Sequence, residues 1–327
     1  MDRRAFLLAS ASLALWPGGA RAALLGGGTT VALVTADLES HVAVVDLSSG
    51  RILRRVPTLA GPQSVESVQP GVAVVAHSSA GALSVIEGSS LRVRSVVRGL
   101  GEPRYTAADR RRGHAYVTDS ARGEVALVDV FRAGGRAGIV WRAAVGGPAR
   151  HLSLSPSGEQ LWVVLGTKAR EVVVLDLRDP RRPRLVAKLR PPFLAHDVCF
   201  APDGRSVWIT SGDRNEIAVY DARTRAVRLR LAADAPPQHV SFIAGRAYVT
   251  SGDDGLLRVH DRRTGRVRGT VRVPVGSYNV QQGWGVVLTP SLSQGTQCLA
   301  AVDGRLVRRV AVSRSSHDAC FLFTNRY

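Results

Sequence analysis

One phrase repeats seven times along the 327-residue chain: an apolar run, an acidic residue, a polar turn and an arginine-rich run. The acidic residues that end the apolar runs are Asp46, Glu87, Asp129, Asp176, Asp221, Asp261 and Asp303. Their successive spacings are 41, 42, 47, 45, 40 and 42 residues. A repeat of this length built from short strands is typical of one blade of a β-propeller. The sequence therefore predicts an all-β fold, a single seven-bladed β-propeller with four antiparallel strands per blade.

The order of strands within a repeat can be read from residues 194–231. HDVCFA alternates and precedes Pro-Asp-Gly, a hairpin turn signal, and SVWIT, EIAVYD and AVRLRL follow it. We call these strands a, b, c and d, from the centre outward. The first repeat begins on strand b near Thr30, and a copy of strand a reappears at residues 317–323 as HDACFLF. We therefore expect the C-terminal strand to complete the first blade and close a propeller that spans residues 23–327.

Three segments carry a resemblance to a known family, namely APDGRSVWITSG, GRAYVTSGDDG and GHAYVTDSARG. With the apolar, acid-ended runs that follow them, they resemble the YVTN-repeat propellers, and the resemblance extends over essentially the whole mature chain. It implies an exported propeller, related in fold to the propeller lactonases. It implies little about function, because the family includes surface proteins, DNA-binding proteins and accessory proteins beside redox enzymes.

Residues 1–22 differ from the repeats. Arg3 and Arg4 precede a short apolar stretch, and Ala20-Arg21-Ala22 has the small-x-small pattern of a cleavage site. This predicts an export signal, either of the twin-arginine type or of the general secretory type. No apolar stretch of about 18 residues follows it, so we expect no transmembrane segment and a monomeric periplasmic or extracellular protein.

The chain is strongly basic, with 44 Lys and Arg against 26 Asp and Glu and a formal net charge of +18. Most of these cations fall on the c–d turns and on the outer strands d. One hypothesis is a surface that binds nucleic acid or an anionic membrane, with four turn arginines as its markers: Arg181, Arg182, Arg262 and Arg263. The alternative is that charged outer strands prevent edge-to-edge association.

Alignment of the repeats on strand a places two rings of polar residues at its entrance, on the top face of the propeller. The candidate ligand-binding residues in these rings are Arg104, Tyr105, Arg150, His151, His196, Asp197, His239, Tyr278, His317 and Asp318. Imidazoles and carboxylates around one axis suit a small ligand or a divalent metal ion, and His196, His239 and His317 are the candidate metal ligands. The alternative is that these residues bond to the backbone of the next blade and stabilise the ring.

No nucleophile elbow, zinc-protease motif, phosphate-binding loop or dinucleotide fingerprint is present in the sequence. The leading hypothesis is therefore a non-enzymatic exported propeller that binds a partner protein or a small ligand at the top mouth of its channel. One alternative is an enzyme of the propeller lactonase or lyase type that uses the His and acidic residues of this face. A polyanion-binding protein is the other. The sequence assigns no catalytic residue and no cofactor.

Overall fold

The structure is a computed structural model that describes residues 29–131, 135–233, 235–283, 285–301 and 304–324. The predicted export signal at residues 1–22 lies outside these residues. So does Asp303, the acidic residue of the seventh repeat.

Within the described residues the chain forms β-strands only, four to each of seven antiparallel sheets. Blade 1 contains β28 (Ala319–Thr324), β1 (Thr29–Ala36), β2 (His41–Asp46) and β3 (Ile52–Pro57). Blade 2 contains β4 (Pro62–Gln69), β5 (Val72–His77), β6 (Ala82–Glu87) and β7 (Arg92–Arg98). Blade 3 contains β8 (Pro103–Asp109), β9 (His114–Asp119), β10 (Glu124–Asp129) and β11 (Gly138–Ala144). Blade 4 contains β12 (Leu152–Leu154), β13 (Gln160–Val164), β14 (Val172–Asp176) and β15 (Arg184–Leu189).

Blade 5 contains β16 (Ala195–Phe200), β17 (Ser206–Ser211), β18 (Glu216–Asp221) and β19 (Val227–Ala232). Blade 6 contains β20 (Val240–Ile243), β21 (Arg246–Ser251), β22 (Leu256–Asp261) and β23 (Val267–Arg272). Blade 7 contains β24 (Gln281–Gly283), β25 (Val286–Pro290), β26 (Thr296–Ala301) and β27 (Leu306–Ala311).

This architecture confirms the predicted seven-bladed propeller and its closure. The C-terminal strand β28 pairs antiparallel with β1, with Thr30 opposite Phe323 and Leu33 opposite Cys320. The first blade is thus assembled from both ends of the chain. Closing the sheet ring in this way removes the exposed edges that an open array of blades would present.

The burial of each strand follows its place in the blade. Strands b and c are apolar on both faces because each blade packs between two others; β5, for example, is buried at every residue. The outer strand β19 reads VRLRLA and is mostly exposed. Trp162 and Trp208, each with no exposed surface, fill the space between neighbouring blades. Full burial of such a side chain contributes about 2–3 kcal/mol.

The repeated acidic residue has a structural role. Asp221 Oδ1 accepts hydrogen bonds from the backbone N–H groups of Arg223 and Thr224, at 3.0 and 2.8 Å. Asp261 does the same for Arg263 and Thr264. These are side chain–backbone turns that fix the c–d hairpin, as Asp side chains do elsewhere.

In the part of the chain that the structure describes, no helix has the length and apolar character needed to cross a membrane. Cys199 and Cys320 are free thiols, and burial raises the pKa of both.

Candidate functional site

The two polar rings are held in place by threonines at the ends of strands b. Thr210 Oγ1 accepts the N–H of Asp197 at 3.0 Å and donates to the carbonyl of Gln238, in the next blade, at 2.7 Å. Thr118 contacts the backbone of Tyr105 and Arg150 in the same way, at 3.0 and 2.6 Å. Each threonine thus joins the strand a of its own blade to the ring residue of its neighbour. The sequence shows these threonines in its YVT and WIT segments, but their role becomes visible only in the structure.

Three histidines from three successive blades converge at the top of the channel. The ring centroids of His151 lie 4.7 Å from His196 and 4.8 Å from His239, and those of His196 and His239 are 5.6 Å apart. One ring nitrogen from each can be chosen so that all three lie within 4.8 Å of one another. We call His151, His196 and His239 the histidine cluster.

The hydrogen bonds of the cluster leave imidazole nitrogens available. His196 Nδ1 lies 3.1 Å from the carbonyl oxygen of Thr167, and His239 Nδ1 lies 3.2 Å from Asp197 Oδ2. His151 is 2% exposed, and neither of its ring nitrogens has a hydrogen bond of good geometry to a described residue, although the His196 backbone lies near the ring. Ring nitrogens of the cluster are therefore left for a ligand.

Burial keeps two of these imidazoles uncharged. It holds the pKa of His151 well below the usual 6.5, with the neighbouring His196 and His239 adding to the effect. Burial likewise lowers the pKa of His196 to about 4. At neutral pH both rings offer a lone pair and carry no charge.

Two arginines and a tyrosine border the cluster. The Tyr105 ring lies 4.2 Å from that of His151, and the Arg150 guanidinium lies 5.8 Å from the Tyr105 ring. Arg104 donates to Gln63 Oε1 at 2.9 Å and lies 3.3 Å from Glu102. The Nε groups of both arginines are buried without a hydrogen-bond partner among the described residues. Burial, together with the nearby Arg104, lowers the pKa of Arg150. Arg104 and Arg150 are neighbouring cations, of which Arg104 pairs with Glu102, and together they favour a negatively charged ligand group.

The remaining ring residues hold the blades together. Asp318 accepts the Asn279 side-chain amide at 2.7 Å and the Val65 N–H at 3.0 Å, so it ties blade 1 to blades 7 and 2. His317 Nδ1 lies 2.9 Å from the carbonyl of Gln63 in blade 2. The Tyr278 hydroxyl donates to Asp253 at 2.7 Å. The ring-stabilising alternative thus describes these three residues, whereas the histidine cluster keeps free nitrogens.

The predicted metal ligands are only partly brought together. His196 and His239 belong to the cluster, but His317 does not, and His151 takes its place. The physical reason is the order of the blades. His151, His196 and His239 lie at the entrances of blades 4, 5 and 6, whereas His317 lies at the entrance of blade 1, two blades beyond blade 6. Repeat alignment gives the order of these residues around the ring but not the distances between their side chains.

The four turn arginines lie elsewhere on the molecule, in the c–d hairpins. Arg181, Arg182 and Arg263 are exposed, and Arg262 forms an ion pair with Asp203. They remain a predicted polyanion surface that is separate from the histidine cluster.

Comparisons with known proteins support the fold. No protein-family model and no curated protein matches the chain. Among solved structures, the periplasmic gluconolactonase PpgL of Pseudomonas aeruginosa is 18% identical, with 90% of this chain and 99% of that chain covered and a TM-score of 0.69. A Bacteroides fragilis protein assigned as a 6-phosphogluconolactonase is 10% identical over 90% of this chain and 98% of its own, with a TM-score of 0.73. AztD of Citrobacter koseri is 12% identical over 90% and 98%, with a TM-score of 0.69.

At these identities the likeness concerns the fold. It nevertheless bears on the leading hypothesis, because propellers of this shape include lactonases. The prediction of a non-enzymatic binding propeller is corrected accordingly, in favour of the enzyme alternative.

Proposed function

We propose that this propeller is a hydrolase of the lactonase type that opens a small cyclic ester carrying a negative charge, at the top mouth of its channel. The observation that carries the proposal is the proximity of two uncharged imidazoles and two arginines at the top of the channel. His151 and His196 are neutral, Arg150 lies close to both, and Arg104 lies close to Arg150.

The chemistry follows from these groups. Water adds to the ester carbonyl, the ring C–O bond breaks, and the product is an open-chain hydroxy acid. An attacking water has to lose a proton, and the histidine cluster supplies the lone pairs that assist this loss. Asp197, 3.2 Å from His239 Nδ1, orients that ring. Arg104 and Arg150 hold the anionic part of the substrate or the negative charge that develops on its carbonyl oxygen.

The structural neighbours support the same reaction class. Two of them carry 6-phosphogluconolactonase in their names and a third is a gluconolactonase. Their substrates are sugar-acid lactones, and a phosphate or carboxylate on such a ring would suit the arginine pair. One of the three is periplasmic, in keeping with the export that residues 1–22 predict, and export remains part of this proposal.

The test is the hydrolysis of aldonolactones by the purified protein, followed above the spontaneous rate in a pH-stat. The panel includes a neutral, a carboxylated and a phosphorylated lactone. We expect hydrolysis of at least one charged lactone, and we expect R104Q/R150Q to lower kcat/KM by about 100-fold or more, the usual effect of removing groups that stabilise the transition state.

The matched control is R181Q/R182Q, which removes the same charge from a c–d turn far from the mouth and should leave kcat/KM unchanged. Failure of the folded protein to accelerate any lactone of the panel would rule the proposed reaction out.

A further inference from the structure

We infer that His151, His196 and His239 form a binding site for one divalent transition-metal ion of the zinc class. Ion binding itself goes beyond the proposed hydrolase activity, and only the catalytic use of the ion rests on that activity.

The spacing of the three imidazoles suits a single metal ion. Nitrogens bound to a tetrahedral zinc ion at 2.0–2.1 Å lie about 3.3 Å from one another. In the structure one nitrogen from each ring can be chosen with every separation within 4.8 Å. The nitrogens are therefore within about 1.5 Å of the separations that a bound ion requires.

His151 is a buried polar group that the fold leaves poorly paired. It is 2% exposed, and neither Nδ1 nor Nε2 has a hydrogen bond of good geometry to a described residue, although the His196 backbone lies near the ring. A buried polar group left unpaired is destabilising. A metal–nitrogen bond compensates for that cost.

In the other two rings of the cluster, Nδ1 faces a hydrogen-bond acceptor. His239 directs Nδ1 at the Asp197 carboxylate, and His196 directs Nδ1 at the Thr167 carbonyl oxygen. Metal-binding histidines show the same arrangement, because a carboxylate or carbonyl acceptor fixes the tautomer and leaves Nε2 for the metal. Asp197 is 7% exposed and brings a negative charge close to the site.

The donor set selects the type of ion. Three imidazole nitrogens suit zinc, copper, nickel or cobalt, whereas calcium and magnesium prefer oxygen ligands. Three protein ligands also leave a fourth position open, as in catalytic zinc sites. Arg150 lies near His151 and His196 and favours an anion there, such as hydroxide or a substrate oxygen. When bound, the ion would acidify a water molecule and polarise a carbonyl.

Calorimetric titration of the chelator-treated protein with Zn²⁺ tests the inference, and the visible absorption of the Co²⁺ form reports on coordination geometry. We expect one equivalent of each ion and an intense tetrahedral-type Co²⁺ spectrum. H151L and, at a more exposed position, H196A should each weaken Zn²⁺ binding by more than about 100-fold. D197N should weaken it by about 10–100-fold, the usual effect of losing the acceptor behind a metal-binding histidine.

H317Q is the matched control, since His317 lies in the same mouth but outside the cluster, and it should bind Zn²⁺ like the parent. Thermal unfolding of each variant confirms that it is folded. Absence of Zn²⁺ binding by the parent, or unchanged binding by both H151L and H196A, would overturn the inference.

The metal site and the hydrolase activity are contradicted by different experimental results. Zn²⁺ binding without lactone hydrolysis would contradict the proposed function alone. Hydrolysis that persists unchanged in the ion-free protein would contradict the catalytic role of the ion and leave the hydrolase intact.

Discussion

At the scale of single residues, the uncharged state of the buried histidines makes stability depend on pH. Burial, aided by the neighbouring His239, lowers the pKa of His317 to about 3, against 6.5 for the exposed side chain. The unfolded chain therefore binds a proton at this residue between pH 6.5 and 3 that the folded protein does not bind. As far as His317 is concerned, the free energy of unfolding is therefore highest above about pH 6.5. It decreases as the pH falls below that value, by at most about 1.4 kcal/mol per pH unit.

H317Q tests this relation. Glutamine can still donate to the Gln63 carbonyl but cannot titrate, so the free energy of unfolding of the variant should fall less steeply between pH 6.5 and 4 than that of the parent. Urea unfolding at several pH values measures both slopes. Asp318, whose pKa burial raises to about 6, contributes in the opposite direction in both proteins, so the difference between them isolates the imidazole. Equal slopes would show that His317 is not held neutral.

The sequence predicted which residues lie at the mouth of the channel but not which of their side chains lie close to one another. Every histidine of the cluster was predicted at the mouth, because strand a begins there in each repeat. The candidate metal ligands His196, His239 and His317 remain a prediction, and in the structure His151 lies with His196 and His239 because these three residues come from successive blades. The distance between two side chains depends on how the blades pack, and the residue pattern of a single strand does not contain that information.

At the scale of strands, β28 closes the ring of blades. It supplies Cys320 and Leu322 to the apolar contact between blades 1 and 2, and Phe321 to the contact with blade 7. Asp318, immediately before β28, donates its N–H to Thr35 Oγ1 at 2.9 Å. The HDACFLF segment predicted this strand because it repeats HDVCFA. The hydrogen-bonding role of Thr35 was not predictable, since it joins residues 283 positions apart.

Deletion of the chain after Arg314 is therefore expected to be severely destabilising. It removes β28, which exposes the edge of β1 and uncovers the face of β4 in blade 2. Several buried apolar side chains are lost, at about 2 kcal/mol each. We expect the melting temperature to fall by more than about 10 °C or cooperative unfolding to disappear. Deletion of residues 325–327 alone is the control and should change the melting temperature little. A truncated protein that melts like the parent would show that the other blades hold the ring closed.

At the scale of the whole molecule, the propeller separates two kinds of positive charge. Arg104 and Arg150 lie in the mouth, where they are partly buried. The turn arginines Arg181, Arg182 and Arg263 are exposed, and many charges of this kind add up to a long-range field. An exposed ion pair such as Arg262–Asp203 contributes about 0–1 kcal/mol to stability. Reversing these charges should therefore leave the fold intact while changing how the molecule meets an anionic surface.

We expect the basic protein to bind a short DNA duplex of arbitrary sequence weakly, with an affinity that falls linearly with salt on logarithmic axes. The variant R181E/R182E/R262E/R263E should bind at least about tenfold more weakly and with a shallower salt dependence, because each lost phosphate contact reduces the slope by about 0.9. Fluorescence anisotropy at several salt concentrations measures both quantities. The control reverses four exposed cations on the loops of the top face, Arg122, Lys168, Arg170 and Arg214, which changes the net charge equally. If both variants lose the same affinity, net charge alone governs binding, and the c–d turns form no binding surface.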